Sequence, residues 1–240
     1  MSANDVFFLG LTYLFIFLFL GGLVYRFRRP LTISSLSSQL VEQKKLYWGI
    51  VAWHWGILAV AAAHLLNFFF PRFMVRFEAT WLGFGANQVL GLAFGVLAVV
   101  GIAILVWRRF SDARLRSVST WMDAVVVLLL LVQVGMGLGI RIGLFDAYAV
   151  WFPTTIVPYF VSVLTFHPQP QLIGSLPVLG QAHIFAAFLL LALLPFSRLI
   201  HMATVPLVYL ARPWLVRVRI REPQPRRLER FGAGRRTADE

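Results

Sequence analysis

Five apolar stretches, each about as long as a bilayer is thick, decide what this chain can be. A helix needs about 20 apolar residues to cross about 30 Å of hydrocarbon. The windows from Val6 to Tyr25, Tyr47 to Phe70, Ala86 to Trp107, Trp121 to Ile140 and Gln181 to Ala203 all qualify. The expected fold is therefore an all-α integral membrane protein, a five-transmembrane-helix bundle. Composition agrees: 59% of residues are hydrophobic and 13% charged, which is too apolar for a water-soluble domain of this size. Trp48, Trp81, Trp107, Trp121 and Trp151 fall at or just beyond the window ends, where amphipathic rings sit at the membrane interface. A shorter run, Ile156 to Phe166, contains Pro158 and reads as interfacial or re-entrant. The first window follows Asp5, where a cleavable signal would carry positive charge, and no small-residue cleavage site follows it. It is expected to remain as a helix.

Lysine and arginine set the orientation. Nineteen of the 22 lie in the first loop, the third loop and the stretch from Arg198 to the end; Arg72, Arg76 and Arg141 lie on the other side. The positive-inside rule then puts the N-terminus outside and the C-terminus in the cytoplasm. The expected division is a membrane domain, 1–212, and a basic cytoplasmic tail, 213–240. That tail either rests on anionic lipid or acts as a strap that docks a cytoplasmic partner. The net charge of +12 sits in these flanks, so membrane lipid is the expected partner and nucleic acid is not.

The histidines carry the chemistry. Four of the five lie inside apolar helices: His54 and His64 in WHWGILAVAAAHLL, and His183 and His201 in the last window. An ionisable side chain in a membrane span is costly enough to be a functional hypothesis by default. The two helices run in opposite directions, so the depths pair His54 with His201 near the cytoplasm and His64 with His183 near the outside. Neutral imidazoles facing one another from two helices can ligate an iron porphyrin from both sides. Two pairs imply two non-covalent b-type haems. The chain has no cysteine, which excludes disulfides, cysteine-ligated iron–sulfur clusters and covalent c-type haem. Zinc is the weaker metal, because tetrahedral sites gather more ligands at one depth. Histidines acting only as interhelical hydrogen-bond partners are the remaining alternative.

One mismatch makes a structural expectation. His183 and His201 are 18 residues apart, five whole turns and about 27 Å along a straight helix, whereas ten residues separate His54 from His64 by about 15 Å and roughly 80° of rotation. Straight rods cannot satisfy both pairs, so a bend near Pro195 is expected. Gly56, near His54, is a candidate for close approach of a flat macrocycle, with helix packing its competing use. Gly91, Gly95, Gly135, Gly137 and Gly139 stand in the same position. Arg108, Arg109 and Arg198 at the cytoplasmic edge are candidates for haem propionates, against snorkelling to lipid phosphate. His167, in TFHPQP, reads as a loop histidine, with a place near an outer quinone pocket the alternative.

At these residues the chain resembles the gamma subunit of respiratory nitrate reductase, a dihaem cytochrome b of the cell's cytoplasmic membrane. The resemblance is carried by SSQLVEQ from Ser37, HWGILAVAAAH from His54 to His64, SVLTFH at Ser162 to His167, and PFSRLIH at Pro195 to His201 with the following VPLVYL. It implies a quinol dehydrogenase subunit: quinol is oxidised outside, near the outer haem on His64 and His183. Electrons then pass to the inner haem on His54 and His201, to an iron–sulfur beta subunit on the cytoplasmic face, and on to a molybdenum-containing alpha subunit. Family members can carry a quinol-binding lysine near the outer start of the third helix; this chain offers Asn87 and Gln88 there. The alternatives are a related dihaem anchor serving a sulfur-compound or heterodisulfide reductase, and a haem-free anchoring or assembly protein. A transporter is disfavoured, because apart from the histidines the spans hold almost no ionisable residue.

Overall fold

The computed structural model describes residues 3–28, 43–144 and 151–202. Most of SSQLVEQ, the VPLVYL stretch and the 213–240 tail lie outside the described residues. The described chain is helical throughout: α1 (Ala3–Arg28), α2 (Gln43–Phe69), α3 (Pro71–Glu78), α4 (Trp81–Ser111), α5 (Ala113–Val118) and α6 (Trp121–Gly143) come first. A π turn (Phe152–Ile156) then leads into α7 (Val157–Leu164), followed by α8 (Gln171–Gly174), α9 (Val178–Leu193) and two 3-10 turns, Leu194–Phe196 and Arg198–Ile200.

Five helices are long and apolar enough to cross a membrane, each overlapping a window the sequence marks: Phe8–Arg28, Tyr47–Phe69, Trp81–Ser111, Trp121–Gly143 and Val178–Phe196, the last ending before His201, which the expected window to Ala203 includes. This is a multi-pass membrane protein. Large apolar side chains such as Phe17, Leu58, Val89 and Val132 stand exposed on the outside of the bundle, which water would penalise and lipid does not. α4 is longer than its apolar window at both ends. Its 31 residues rise about 46 Å, so its last turn, with Arg108 and Arg109, projects past the hydrocarbon. Local chemistry fixes the other ends. Thr80 caps α4 by accepting from Gly83 N at 3.0 Å, and Thr120 with Asp123 forms a capping box at the start of α6.

The helices pack in a row, α2 on α4, α4 on α6, α6 on α9 and α9 on α1. The tightest seam is α2 on α4. A Cβ on Gly56 would come within 2.7 Å of Ala98 Cα, and one on Gly101 within 2.6 Å of Trp53 Cα, so the backbones touch where only glycine fits. α1 is tied to the short α7 by a buried hydrogen bond of 2.7 Å between Thr12 Oγ1 and the Tyr159 hydroxyl and by Tyr13 donating to Val163 O at 3.2 Å. The two histidine-bearing helices, α2 and α9, do not close on each other along a seam of comparable extent.

The bend expected at Pro195 is a break. α9 ends at Leu193 and the chain goes on through the two 3-10 turns, with Ser197 extended between them. Proline removes a backbone donor and clashes with the preceding turn, so a regular helix cannot pass through it. The count of five whole turns from His183 to His201 therefore does not carry through, and His201 sits on a separate turn beyond the break.

Candidate functional site: two histidine pairs

The inner pair comes together directly. The rings of His54 and His201 lie 6.3 Å apart centre to centre, inclined by 50°. Two metal–nitrogen bonds of about 2.0 Å each, with about 1.1 Å from nitrogen to ring centre on either side, sum to about that distance. In three of the four candidate ligand histidines Nδ1 is held by a backbone carbonyl about one turn earlier: His54 by Ile50 O at 2.8 Å, His64 by Val60 O at 2.8 Å and His201 by Arg198 O at 2.7 Å. A neutral ring in that contact donates from Nδ1 and keeps the Nε2 lone pair for a ligand, the tautomer that metal-binding histidines adopt.

His183 stands apart. Its Nδ1 is buried with no hydrogen-bond partner, and so is the side-chain oxygen of Gln133. Its Nε2 lies 3.4 Å from Gln133 Nε2. Turning the Gln133 amide would pair it with Nε2 and leave Nδ1 an orphan still. One turn further along α6, a Cβ on Gly137 would lie 3.1 Å from His183 Cε1, so the glycine makes room for the ring. His64 packs edge-on against Phe152, with ring centres 5.5 Å apart. The Nδ1 contacts of His54, His64 and His201 leave their Nε2 lone pairs for a group that takes imidazole ligands. Among the described residues no three His, Asp or Glu side chains gather in one place, so nothing there favours the zinc alternative.

The remaining candidates separate by location. Gly56 is two residues from His54, which turns it about 200° away around the helix, and it faces Ala98; helix packing is its place in the structure. Of the other glycines, Gly91 is filled by the Arg141 guanidinium, Gly95 by Leu138 and Gly139 by Leu179, while nothing approaches Gly135. Arg109 and Arg198 are engaged with the buried Asp123, at 3.5 Å and 3.1 Å, and Arg109 also donates to Ser119 at 3.1 Å. Arg108 is buried on α4. Arg26, one turn past Gly22 on α1, instead has its Nη1 buried without a partner. His167 is exposed, its Nδ1 held at 2.8 Å by Thr165 O in its own turn. The preceding Phe166 has φ of 58°, uncommon for a bulky residue.

At the outer end, Arg141 folds back from α6 onto the backbone carbonyl of Asn87, whose amide donates to Glu78. Gln88 beside it is buried. Burial holds the Glu78 carboxyl above the usual carboxylate range, against the opposing pull of Arg141 and of the Asn87 amide. Asp123, Gln133, Glu78 and Arg141 were not legible as site residues, because their partners lie on other helices. A weak signal existed only for Asp123, in the spacing T-x-x-D at Thr120.

Fold and site together define a class, a multi-pass helical membrane protein in which the rings of His54 and His201 meet. The family described as nitrate reductase gamma subunit matches residues 4–221. The nitrate reductase gamma chain of Bacillus subtilis is 31% identical over 85% of this chain and 93% of its own length. The respiratory nitrate reductase 1 gamma chain of Escherichia coli is 31% identical over 78% of this chain and 85% of its own. More distantly, the Hdr-like menaquinol oxidoreductase cytochrome b-like subunit of Archaeoglobus profundus is 27% identical over 75% of this chain and 53% of its own. The chain belongs to the nitrate reductase gamma subunit family, and so to the membrane components of an oxidoreductase complex.

Proposed function

We propose that this chain is the quinol-oxidising dihaem cytochrome b subunit of a respiratory nitrate reductase in the cytoplasmic membrane. The observation that carries the reading is the approach of the His54 and His201 rings, from α2 and from the turn beyond α9, to 6.3 Å, in a chain of this family. His54 and His201 hold the inner haem through Nε2, and His64 and His183 the outer one. Haem at these two depths supplies one-electron transfer across the bilayer. The protein's own part is to fix the rings. Each Nδ1–H donated to a carbonyl sets the ring's orientation and raises the basicity of Nε2. The lipid-facing apolar surface keeps water away, and Arg26 offers a cation to a carboxylate at the cytoplasmic end.

Quinol is the substrate on the outer side, beside His64, where Glu78, Asn87, Gln88 and Arg141 gather. Electrons leave at the cytoplasmic face to an iron–sulfur beta subunit and a molybdenum-containing alpha subunit. The archaeal relative, named as the cytochrome b-like subunit of an Hdr-like menaquinol oxidoreductase, favours a second reading in which the same anchor serves a heterodisulfide-type reductase. The test is anaerobic mixing of the purified protein with a reduced naphthoquinol or benzoquinol analogue. Reduction of b-type absorbance, reversed by nitrate once the alpha and beta subunits are added, supports the proposal. Absorbance that no quinol reduces overturns it, and reoxidation by a heterodisulfide but not by nitrate, with the matching partner, selects the second reading.

A further inference from the structure

The turn that carries His201 has lost the support of a regular helix. Beyond Leu193 it consists of two 3-10 turns with an extended residue between them, and such turns hold geometry less firmly than α-helix. Two features outside the turn hold it. On one side Gly22 of α1 leaves a notch, since a Cβ there would lie 2.8 Å from Phe196 and 2.9 Å from Pro195. On the other side stands Asp123, with only 7% of its side chain exposed. Its Oδ1 lies 3.1 Å from Arg198 Nε, and its Oδ2 accepts from Thr120 N at 3.2 Å and faces Arg109 Nη1 at 3.5 Å. Arg198 is also the residue whose backbone carbonyl accepts from His201 Nδ1 at 2.7 Å.

We propose that Asp123 is a positioning residue for the inner-haem ligand: by holding Arg198 from the start of α6, it fixes the carbonyl that orients the His201 ring. The inference rests on the dihaem reading. A buried carboxylate bound to two guanidiniums and a helix cap behaves as a network, so removing it leaves buried positive charge uncompensated. Loss of the negative charge and a weaker hydrogen bond to Nδ1 both favour the reduced iron. The potential of the inner haem should therefore rise, while the outer haem, held by His64 of α2 and His183 of α9 at the other depth, stays as it was.

The experiment is a potentiometric titration, with low-spin ferric EPR, of purified full-length wild-type, Asp123→Asn, Asp123→Glu and Thr120→Val protein. Thr120→Val removes the hydroxyl that accepts from Asp123 N at 3.2 Å and keeps the carboxylate, so it reads the same tether if Asp123→Asn does not assemble. The expected result is an upward shift and an altered EPR signal for one haem in Asp123→Asn, a smaller change in Thr120→Val, and partial restoration in Asp123→Glu. An inner haem indistinguishable from wild type in Asp123→Asn, or in Thr120→Val should Asp123→Asn not assemble, overturns the inference. Equal movement of both haems overturns it too. Wild-type protein without haem would instead refute the proposed function on which the inference stands.

Discussion

Replacing Gly137 by alanine should disturb the outer haem while leaving the bundle folded. The added Cβ would stand 3.1 Å from His183 Cε1 and 3.7 Å from its Nε2. Carbon atoms rest at about 3.5–4.0 Å, so the ring has to retreat by about 0.4 Å or α6 and α9 have to part. Metal sites keep their ligand distances to within about 0.2 Å, so the retreat exceeds what an iron–imidazole bond absorbs. Overpacking of this kind costs about 1–3 kcal/mol, offset in part by the roughly 1 kcal/mol that alanine gains over glycine in a helix. Gly135→Ala is the control: nothing lies within 4 Å of the added methyl, so it keeps the helix gain and meets no ring. Haem per chain, a potentiometric titration and the rate of reduction by a quinol analogue read the two variants side by side. Gly137→Ala should lower the occupancy of the outer haem or shift its potential, with slower reduction, and Gly135→Ala should match wild type. Identical outer-haem properties in the two alanine variants would refute the reasoning.

Three further outcomes follow from the same geometry. His64→Ala and His183→Ala should abolish one and the same haem signal, and His54→Ala and His201→Ala the other; EPR of the four variants checks this, and a crossed pattern breaks the depth pairing. Gly56→Ala should cost about 1–3 kcal/mol by forcing α2 from Ala98, read as a lower Tm in detergent with both haems still bound; loss of the inner haem at unchanged Tm would return Gly56 to the cofactor. Glu78, whose carboxyl burial raises, contributes stability below its unfolded value of about pH 4 that is lost as pH climbs through the higher folded value. Wild-type Tm should thus fall relative to that of Glu78→Gln across that window, and parallel curves would contradict the assignment.

The spans were legible because length and apolarity are properties of a single segment. The approach of His54 to His201 was legible because depth follows from position along a span. What crosses between segments was not. Arg141 reaches a carbonyl 54 residues earlier in the chain, and Gln133 meets His183 from 50 residues away; no period or local spacing encodes either. Arg109 and Arg198 read as candidates for an anion, and in the structure that anion is the protein's own Asp123. Pro195 shows the limit most clearly. Its chemistry announces an interruption, but the two 3-10 turns that result depend on Gly22 of α1 and Asp123 of α6 to hold them.

Whether His54, His64, His183 and His201 bind haem decides what this chain does. A dithionite-reduced minus oxidised visible spectrum of the purified chain, with haem quantified per polypeptide, tests this most directly. The prediction is two b-type haems per chain, falling to one when either pair loses a histidine. Protein produced with ample haem and found to hold none would contradict the account and leave a haem-free membrane anchor in its place.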